Sequence, residues 1–412
     1  MSGSNNNIII IGGGAAGIVA AIFAKQNYAD VTIIEKNDRI GKKILVTGNG
    51  RCNFTNLNVE VNCYSGKNPK FVYSSLASFN VHDTIDFFEK LGISHKIEEA
   101  GKVFPRSDQA TSILDVLRYE VEELGIKLIT NSDVRSISKK GSKFTVVSEN
   151  GKVHKTDRII LATGGKAMPS SGSNGEGYEL AKSFGHTVTD LYPGLVQLKL
   201  AGNLFKQIQG VKFKGTAGLF NNNKLLYTDY GDILFTSYGI SGPPILQLSR
   251  KAAELLNKNE EAILKVKIID NMNRDELNAY LTKRFMDRPK KSVEFSLVGL
   301  INKRIIPVIL KEIGIKDINK SVANLTKEEK ENLVTILTDW RFQIIGTKSW
   351  QDAQVTAGGI NTNEVNQKTL ESKLVKGLFF AGEILDIDGQ CGGFNLQWAW
   401  SSGYLAGINA SK

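Results

Sequence analysis

The chain is poor in the residues that build disulfide and metal frameworks. Its 412 residues include three cysteines (Cys52, Cys63, Cys391) and four histidines (His82, His95, His154, His186). Three cysteines are too few for a disulfide scaffold, and their spacing is not that of a metal site. The histidines are scattered among ordinary segments, so no metal is expected. No apolar run approaches the roughly 20 residues of a membrane-spanning helix. The short run Ile8 to Ile11 is preceded by polar residues and stopped by glycine, unlike a secretory leader. A cytoplasmic protein with no membrane partner is expected. With 41% hydrophobic and 23% charged residues, the composition is that of a globular protein long enough for two or three domains.

Charge is less balanced. Lys and Arg number 52 against 42 Asp and Glu, a net +10, which suits an anionic cofactor and substrate or a nucleic acid. Much of the excess lies in residues 283–316, around Arg284, Arg288, Lys290, Lys291, Lys303 and Arg304, interleaved with apolar residues at helical spacing. A solvated helical face is the favoured reading there, and nucleic acid the lesser one.

The strongest local signal is Asn7-Ile8-Ile9-Ile10-Ile11-Gly12-Gly13-Gly14-Ala15-Ala16-Gly17. The β-branched run predicts a buried parallel strand, and the glycines a tight turn into a helix from about Ala15 to Gln26. Gly12, Gly14 and Gly17 occupy the three glycine positions of G-x-G-x-x-G. The first permits the turn, the second lets backbone approach a pyrophosphate, and the third lets helix and strand pack closely. Amides at the helix start, including those of Ala15 and Ala16, face phosphate charge, which the helix dipole favours. A second strand, Val31 to Ile34, ends on Glu35, placed to accept hydrogen bonds from a ribose hydroxyl.

From Lys36 to Asn56 there is no amphipathic period. Basic, small polar and glycine residues, with Lys36, Lys43, Thr47, Gly48, Arg51, Cys52 and Asn53 among them, read as a loop wrapped on a ligand. Arg51 suits the pyrophosphate or an acidic substrate, and Asn53 the cofactor's edge. Helical periodicity follows at Val81 to Leu91 and Gln109 to Leu124, with an irregular turn at Gly101 to Ser107 between them. Short strands begin at Val134, itself a candidate cofactor contact, and Asn150-Gly151 signals a type I′ hairpin between the last two. The strand Arg158 to Leu161 then ends in Ala162-Thr163-Gly164. This order resembles the glutathione-reductase-like class of FAD-binding proteins, in which the Ala-Thr-Gly turn lies near the cofactor.

From Leu195 to Ile240 evenly spaced short strands predict an antiparallel sheet or small barrel. One more strand, Ile263 to Ile269, precedes three predicted helices: Arg274 to Met286, Phe295 to Ile313, and Lys327 to Leu337. Thr326 and Glu329 form a capping box for the third, and Trp340 to Thr347 returns to the sheet. Near the far end, a short apolar strand ends in Gly382-Glu383, which resembles the second FAD fingerprint, whose acid holds the ribityl chain. Asp386 is also close enough for that task. Gly392-Gly393 then opens a final helix through Asn395 and Leu396. A helix start aimed at the flavin pyrimidine would stabilise negative charge on the reduced ring.

Taken together, Gly48 to Asn53, Val103-Phe104-Pro105, Gly239 to Pro243, Val355 to Ile360, Gly382 to Asp386 and Gln397-Trp398-Ala399 resemble the bacterial flavoprotein family of BaiN and aminoacetone oxidase. The resemblance implies an α/β fold: a Rossmann-like FAD-binding domain of glutathione-reductase type over 1–194 and 350–412, a β-barrel-like substrate domain over 195–270 and 338–349, and a small helical domain over 271–337. It implies FAD, expected to be noncovalent because no candidate attachment residue stands out, and hydride exchange between flavin N5 and a small amine, ketone or enone. Oxygen or a transiently bound NAD(P)H would complete the cycle, and no second nucleotide fold is found for the latter. Tyr238 and Ser241, in the turn before Pro243, and Arg106 are the catalytic candidates. Cys52 and Cys391 fall in flavin-proximal loops, but their spacing is not Cys-x-x-Cys, so packing against the cofactor is favoured over a redox dithiol. The alternative function is a flavin-binding, RNA-associated or regulatory protein.

Overall fold

The structure is a computed structural model and describes residues 6–412. The chain forms two compact units, residues up to 192 together with 354–412, and residues 193–353.

The first unit is built on a five-stranded sheet in the order Leu378–Phe380, Arg158–Leu161, Asn7–Ile11, Asp30–Ile34, Lys127–Ile129, every pairing parallel. Ile8, Ile10, Ile33, Ile160 and Phe380 have no exposed surface, as strands covered on both faces require. The chain leaves the first strand for its neighbour on one side and later returns to the other side, at Arg158–Leu161. The ends of those two strands, Ile11 and Leu161, therefore flank the crevice where doubly wound sheets bind ligands. The first helix, Ala15–Gln26, and the final helix, Phe394–Ser411, pack along each other against this sheet.

A three-stranded antiparallel meander, Val134–Lys140, Lys143–Ser148 and Val153–Thr156, belongs to the same unit. Its last turn differs from the expected type I′ geometry. Only Gly151 takes a positive φ there, at 76°, whereas type I′ needs two such residues. Bonds from the Gly151 amide to Ser148 O (2.9 Å) and from the Ser148 amide to Lys152 O (3.0 Å) close a longer loop.

The second unit holds a closed six-stranded antiparallel barrel, in the order Leu198–Leu200, Gly239–Ser241, Lys224–Thr236, Lys212–Asn221, Ile263–Lys267, Trp340–Thr347. Alternate residues such as Ala217, Leu219, Ile233, Phe235, Leu264 and Val266 are buried, and closure leaves no free edge. Helices at Arg274–Asp287, Val293–Leu297, Ile306–Glu312 and Lys327–Thr338 are inserted between two neighbouring barrel strands. The helix expected over Phe295 to Ile313 is thus two. Gly299 at φ 83° breaks it and Pro307 starts the next. The Thr326–Glu329 capping box is formed in both directions, at 3.1 and 2.8 Å. The inserted helices share one hydrophobic cluster with the barrel, Leu277, Leu281 and Leu333 lying in it with Leu264 and Val266. Among the described residues no helix is long and apolar enough to cross a membrane, and no His, Cys, Asp and Glu group could hold a metal.

Candidate cofactor site

Packing separates the roles of the three glycines. Gly12 has φ 101°, and a Cβ built there would lie 2.5 Å from the Ala162 carbonyl oxygen. At Gly17 the same atom would lie 2.0 Å from the Gly12 carbonyl oxygen. Protein contacts alone demand both. At Gly14 nothing lies within 4 Å, so the protein leaves open the one position where the motif brings a pyrophosphate to the backbone. The first bond inside the helix runs from the Ile18 amide to Gly14 O, 2.9 Å. The amides of Ala15, Ala16 and Gly17 precede it and lack helical acceptors.

Glu35 is 7% exposed and accepts three hydrogen bonds: from the Gly13 amide (2.7 Å), the Asn37 amide (2.8 Å) and Asn37 Nδ2 (2.7 Å). An ionised carboxylate has about four lone-pair sites, so one site is left for a ribose hydroxyl. Its main structural task, clamping the glycine turn to the second strand, was not legible without Asn37. Lys36 is paired with Glu176 at 3.2 Å. Val134 lines a cavity of about 270 Å³ with Arg135, Ile137, Glu176 and Leu180.

In the following loop, Thr47 Oγ1 donates to Ile44 O (2.7 Å), while Gly48 and Asn49 both have left-handed backbone. Arg51, expected to meet the pyrophosphate or an acidic substrate, is engaged by partners within the protein. Its Nε donates to Asp108 Oδ1 (2.8 Å), Nη2 pairs with Glu98, and the guanidinium lies 4.1 Å from the Phe104 ring centroid. Lys96 joins the same two acids, at 2.6 Å from Asp108 and 3.0 Å from Glu98. These charged hydrogen bonds hold both carboxyls below their ordinary range, chiefly through Arg51 for Glu98 and Lys96 for Asp108. Asn53 next door is buried, and its Oδ1 has no protein partner. Thr163 Oγ1 is likewise buried and unpartnered. Burial pushes the fully enclosed Cys52 thiol up to about 12, which keeps it protonated and unsuited to dithiol chemistry.

The closing segment is tied to this loop. Glu383 Oε2 pairs with Lys43 Nζ at 2.7 Å, and its Oε1 accepts from the Thr356 amide at 2.7 Å. Asp386, only 2% exposed, accepts from the Lys67 amide at 3.0 Å. Gly393 begins the final helix with φ 98°, and a Cβ built on it would lie 2.4 Å from Thr55 O and 3.0 Å from Asn53 Oδ1. Gly392 shares the positive φ, at 125°. The Asn395 side chain is occupied within the protein: it accepts from the Gly389 amide and donates to Gly389 O, both at 2.8 Å. The first intrahelical bond is Gln397 N to Gly393 O (3.0 Å), which leaves the Phe394, Asn395 and Leu396 amides without helical acceptors.

Gln397, Trp398 and Trp400 orient that helix. Trp398 Nε1 donates to Gly382 O (3.1 Å) and Trp400 Nε1 to Phe54 O (2.8 Å). Gln397, fully buried, accepts from Thr55 Oγ1 (2.5 Å) and donates to Thr84 Oγ1 (2.9 Å). Sequence reasoning found the tryptophans but not these partners, which are remote in the chain.

Of the catalytic candidates, Tyr238 and Ser241 belong to the barrel unit and Arg106 to the other. Ser241 is paired with Leu234 in the barrel, and Lys348 Nζ lies 4.9 Å from the Tyr238 ring centroid. Arg106 is exposed, and its amide donates to Ser94 O (2.8 Å).

The residues fit a flavin dinucleotide. Two helix starts with uncommitted amides suit a pyrophosphate and an electron-rich ring, while the orphaned Asn53 Oδ1 requires a donor and the orphaned Thr163 hydroxyl a hydrogen-bond partner. Fold and site define an FAD-dependent oxidoreductase of Rossmann type. The chain belongs to the family described as HI0933-like protein Rossmann domain, which matches residues 6–409. It is 40% identical over 398 residues to the 3-dehydro-bile acid delta(4,6)-reductase of Clostridium scindens, covering 96% of this chain and 97% of that one. It is also 34% identical over 391 residues to the ribosomal RNA dihydrouridine synthase of Escherichia coli, covering 94% of each. Among solved structures, 3-ketosteroid delta1-dehydrogenase from Sterolibacterium denitrificans shares the fold, with TM-score 0.52 and 12% identity over 99% of this chain and 100% of that one.

Proposed function

We propose that the protein reduces a carbon–carbon double bond conjugated to a carbonyl, with NAD(P)H as transient electron donor to the FAD. The observation that carries this reading is the full-length similarity to the bile acid reductase. The relatives' names support a shared chemistry: a 3-dehydro steroid with unsaturation at position 4 is an enone, and dihydrouridine is uridine saturated at the bond conjugated to its C4 carbonyl. Such a bond accepts hydride at its far carbon because the carbonyl oxygen takes up the negative charge. When bound, FAD supplies the hydride.

The chain's own groups provide binding and electrostatics. The turn Gly12 to Gly17 and the Ala15 and Ala16 amides hold the pyrophosphate, and Glu35 the ribose. Glu383 and Asp386 hold the ribityl side, and Asn53 Oδ1 accepts from a donor on the ring. Amides at the start of the final helix favour negative charge on the reduced ring. Tyr238 Oη is the proposed proton donor to the substrate, Ser241 Oγ a substrate hydrogen bond, and Arg106 a partner for an acidic substituent.

The test is anaerobic stopped-flow on purified holoenzyme. NADH or NADPH should bleach the flavin absorbance, and a 4-en-3-one steroid or a uridine oligonucleotide should restore it faster than oxygen does. Restoration by oxygen alone, with neither unsaturated carbonyl having any effect, would instead make the protein an oxidase.

A further inference from the structure

The charge surplus is not spread over the molecule. Residues 193–353 carry 25 Lys and Arg against 17 Asp and Glu, so eight of the chain's net ten positive charges belong to the barrel unit. Within that unit, residues 280–295 hold five cations (Lys283, Arg284, Arg288, Lys290, Lys291) and two acids (Asp287, Glu294). Lys283, Arg288 and Lys290 are exposed, and among the described residues no ion pair engages any of the five.

Two aromatic rings are exposed in the same place. Phe295 is 58% exposed and Tyr280 39%. Arg284 lashes them together: Nη1 donates to Tyr280 Oη (3.2 Å), while Nε and Nη2 donate to Ser296 O (2.6 Å) and Val298 O (2.9 Å) around the helix that carries Phe295. Lys291 Nζ stands 4.8 Å from the Phe295 ring centroid. A solvated helical face needs the charges but not the rings. Exposed rings flanked by unpaired cations are what stacking bases and a phosphate backbone require together.

We propose that the surface formed by Tyr280, Arg284, Arg288, Lys290, Lys291 and Phe295 docks a single-stranded nucleic acid. The rings stack bases and the cations track phosphates. Docking is separate from the redox step and does not depend on which bond is reduced.

The experiment measures binding of a fluorescein-labelled single-stranded RNA of about 12 nucleotides to the FAD holoenzyme by anisotropy, without any reductant. Affinity should fall steeply between about 50 and about 200 mM KCl. Arg288→Glu/Lys290→Glu should weaken binding at least tenfold and flatten the salt slope by about 1.4. Phe295→Ala should weaken it by about five- to 160-fold and leave the slope unchanged. Lys224→Glu, at the turn of the barrel hairpin and outside the proposed surface, should bind as wild type does, and thermal melts should show every variant folded. Unchanged affinity in both surface variants would overturn the proposal. So would an equal loss in Lys224→Glu, equal affinity for an RNA duplex, or binding to phosphatidylglycerol vesicles but not to RNA. Since no turnover is read, failure of the reductase reading leaves this result intact.

Discussion

Gly403 on the final helix touches the backbone of Ala16 on the first: a Cβ built at Gly403 would stand 2.5 Å from the Ala16 carbonyl oxygen. This contact between two remote parts of the chain sets the spacing of the helices whose N-termini are proposed to form the cofactor site. Gly403→Val should lower stability by about 1–3 kcal/mol through overpacking. It should also weaken FAD retention, because the helices are pushed apart. Calorimetry and the flavin content of the purified variant check both.

The glycine turn predicts a contrast between neighbours. A Cβ at Gly14 meets nothing in the protein, whereas one at Gly17 meets Gly12 O at 2.0 Å. Gly14→Ala should fold with an unchanged apo melting temperature and bind FAD at least tenfold more weakly. Gly17→Ala should lose stability even without cofactor. Parallel apo melts and FAD titrations distinguish the two, and a Gly14→Ala variant with wild-type FAD affinity would contradict the assignment.

Three N–H donors converge on Glu35. Glu35→Gln turns part of that acceptor into a donor facing donors, which costs about 1–3 kcal/mol for each buried group left unsatisfied. The apoprotein should melt lower, and FAD affinity should fall further than stability alone explains. Adding excess FAD should recover only part of the loss in melting temperature.

His186 is buried between Glu364 Oε2, 3.1 Å from Nδ1, and Ser372 Oγ, 2.8 Å from Nε2. Ser372 Oγ already accepts the Leu374 and Val375 amides (3.0 and 2.9 Å), so its own proton goes to Nε2. His186 is then neutral, with Nδ1–H donating to Glu364. Burial lowers its pKa below 6.5, with Glu364 opposing the shift. The folded pKa lies under the unfolded one, so the unfolded chain binds the proton first. Stability should be full above pH 6.5 and decline as pH falls from there through the lowered folded value. Melting temperatures of wild type and His186→Gln, scanned from about pH 8 to about pH 5, should converge toward the acid end. A wild-type curve parallel to that of the variant would refute this.

What could be read from the chain alone was whatever a few adjacent residues decide. The isoleucine run, the three glycines and Glu35 are governed by backbone sterics and by the period of a strand and a helix, so the first nucleotide-binding unit was legible. So was the second helix start at Gly393, and the capping box at Thr326. Phe295 to Ile313 was misread as one helix because its apolar spacing continues across Gly299, whose positive φ ends the first segment.

The fate of individual polar groups was settled only by the tertiary structure. Arg51 and Asn53 lie two residues apart in one loop and looked equally available to a ligand. Glu98 and Asp108, 47 and 57 residues further on, neutralise Arg51, while Asn53 Oδ1 is buried without a partner. Sequence determines which groups a loop carries. Which of them remain free depends on the charges that other segments bring within hydrogen-bond reach, and only the folded chain brings those segments together.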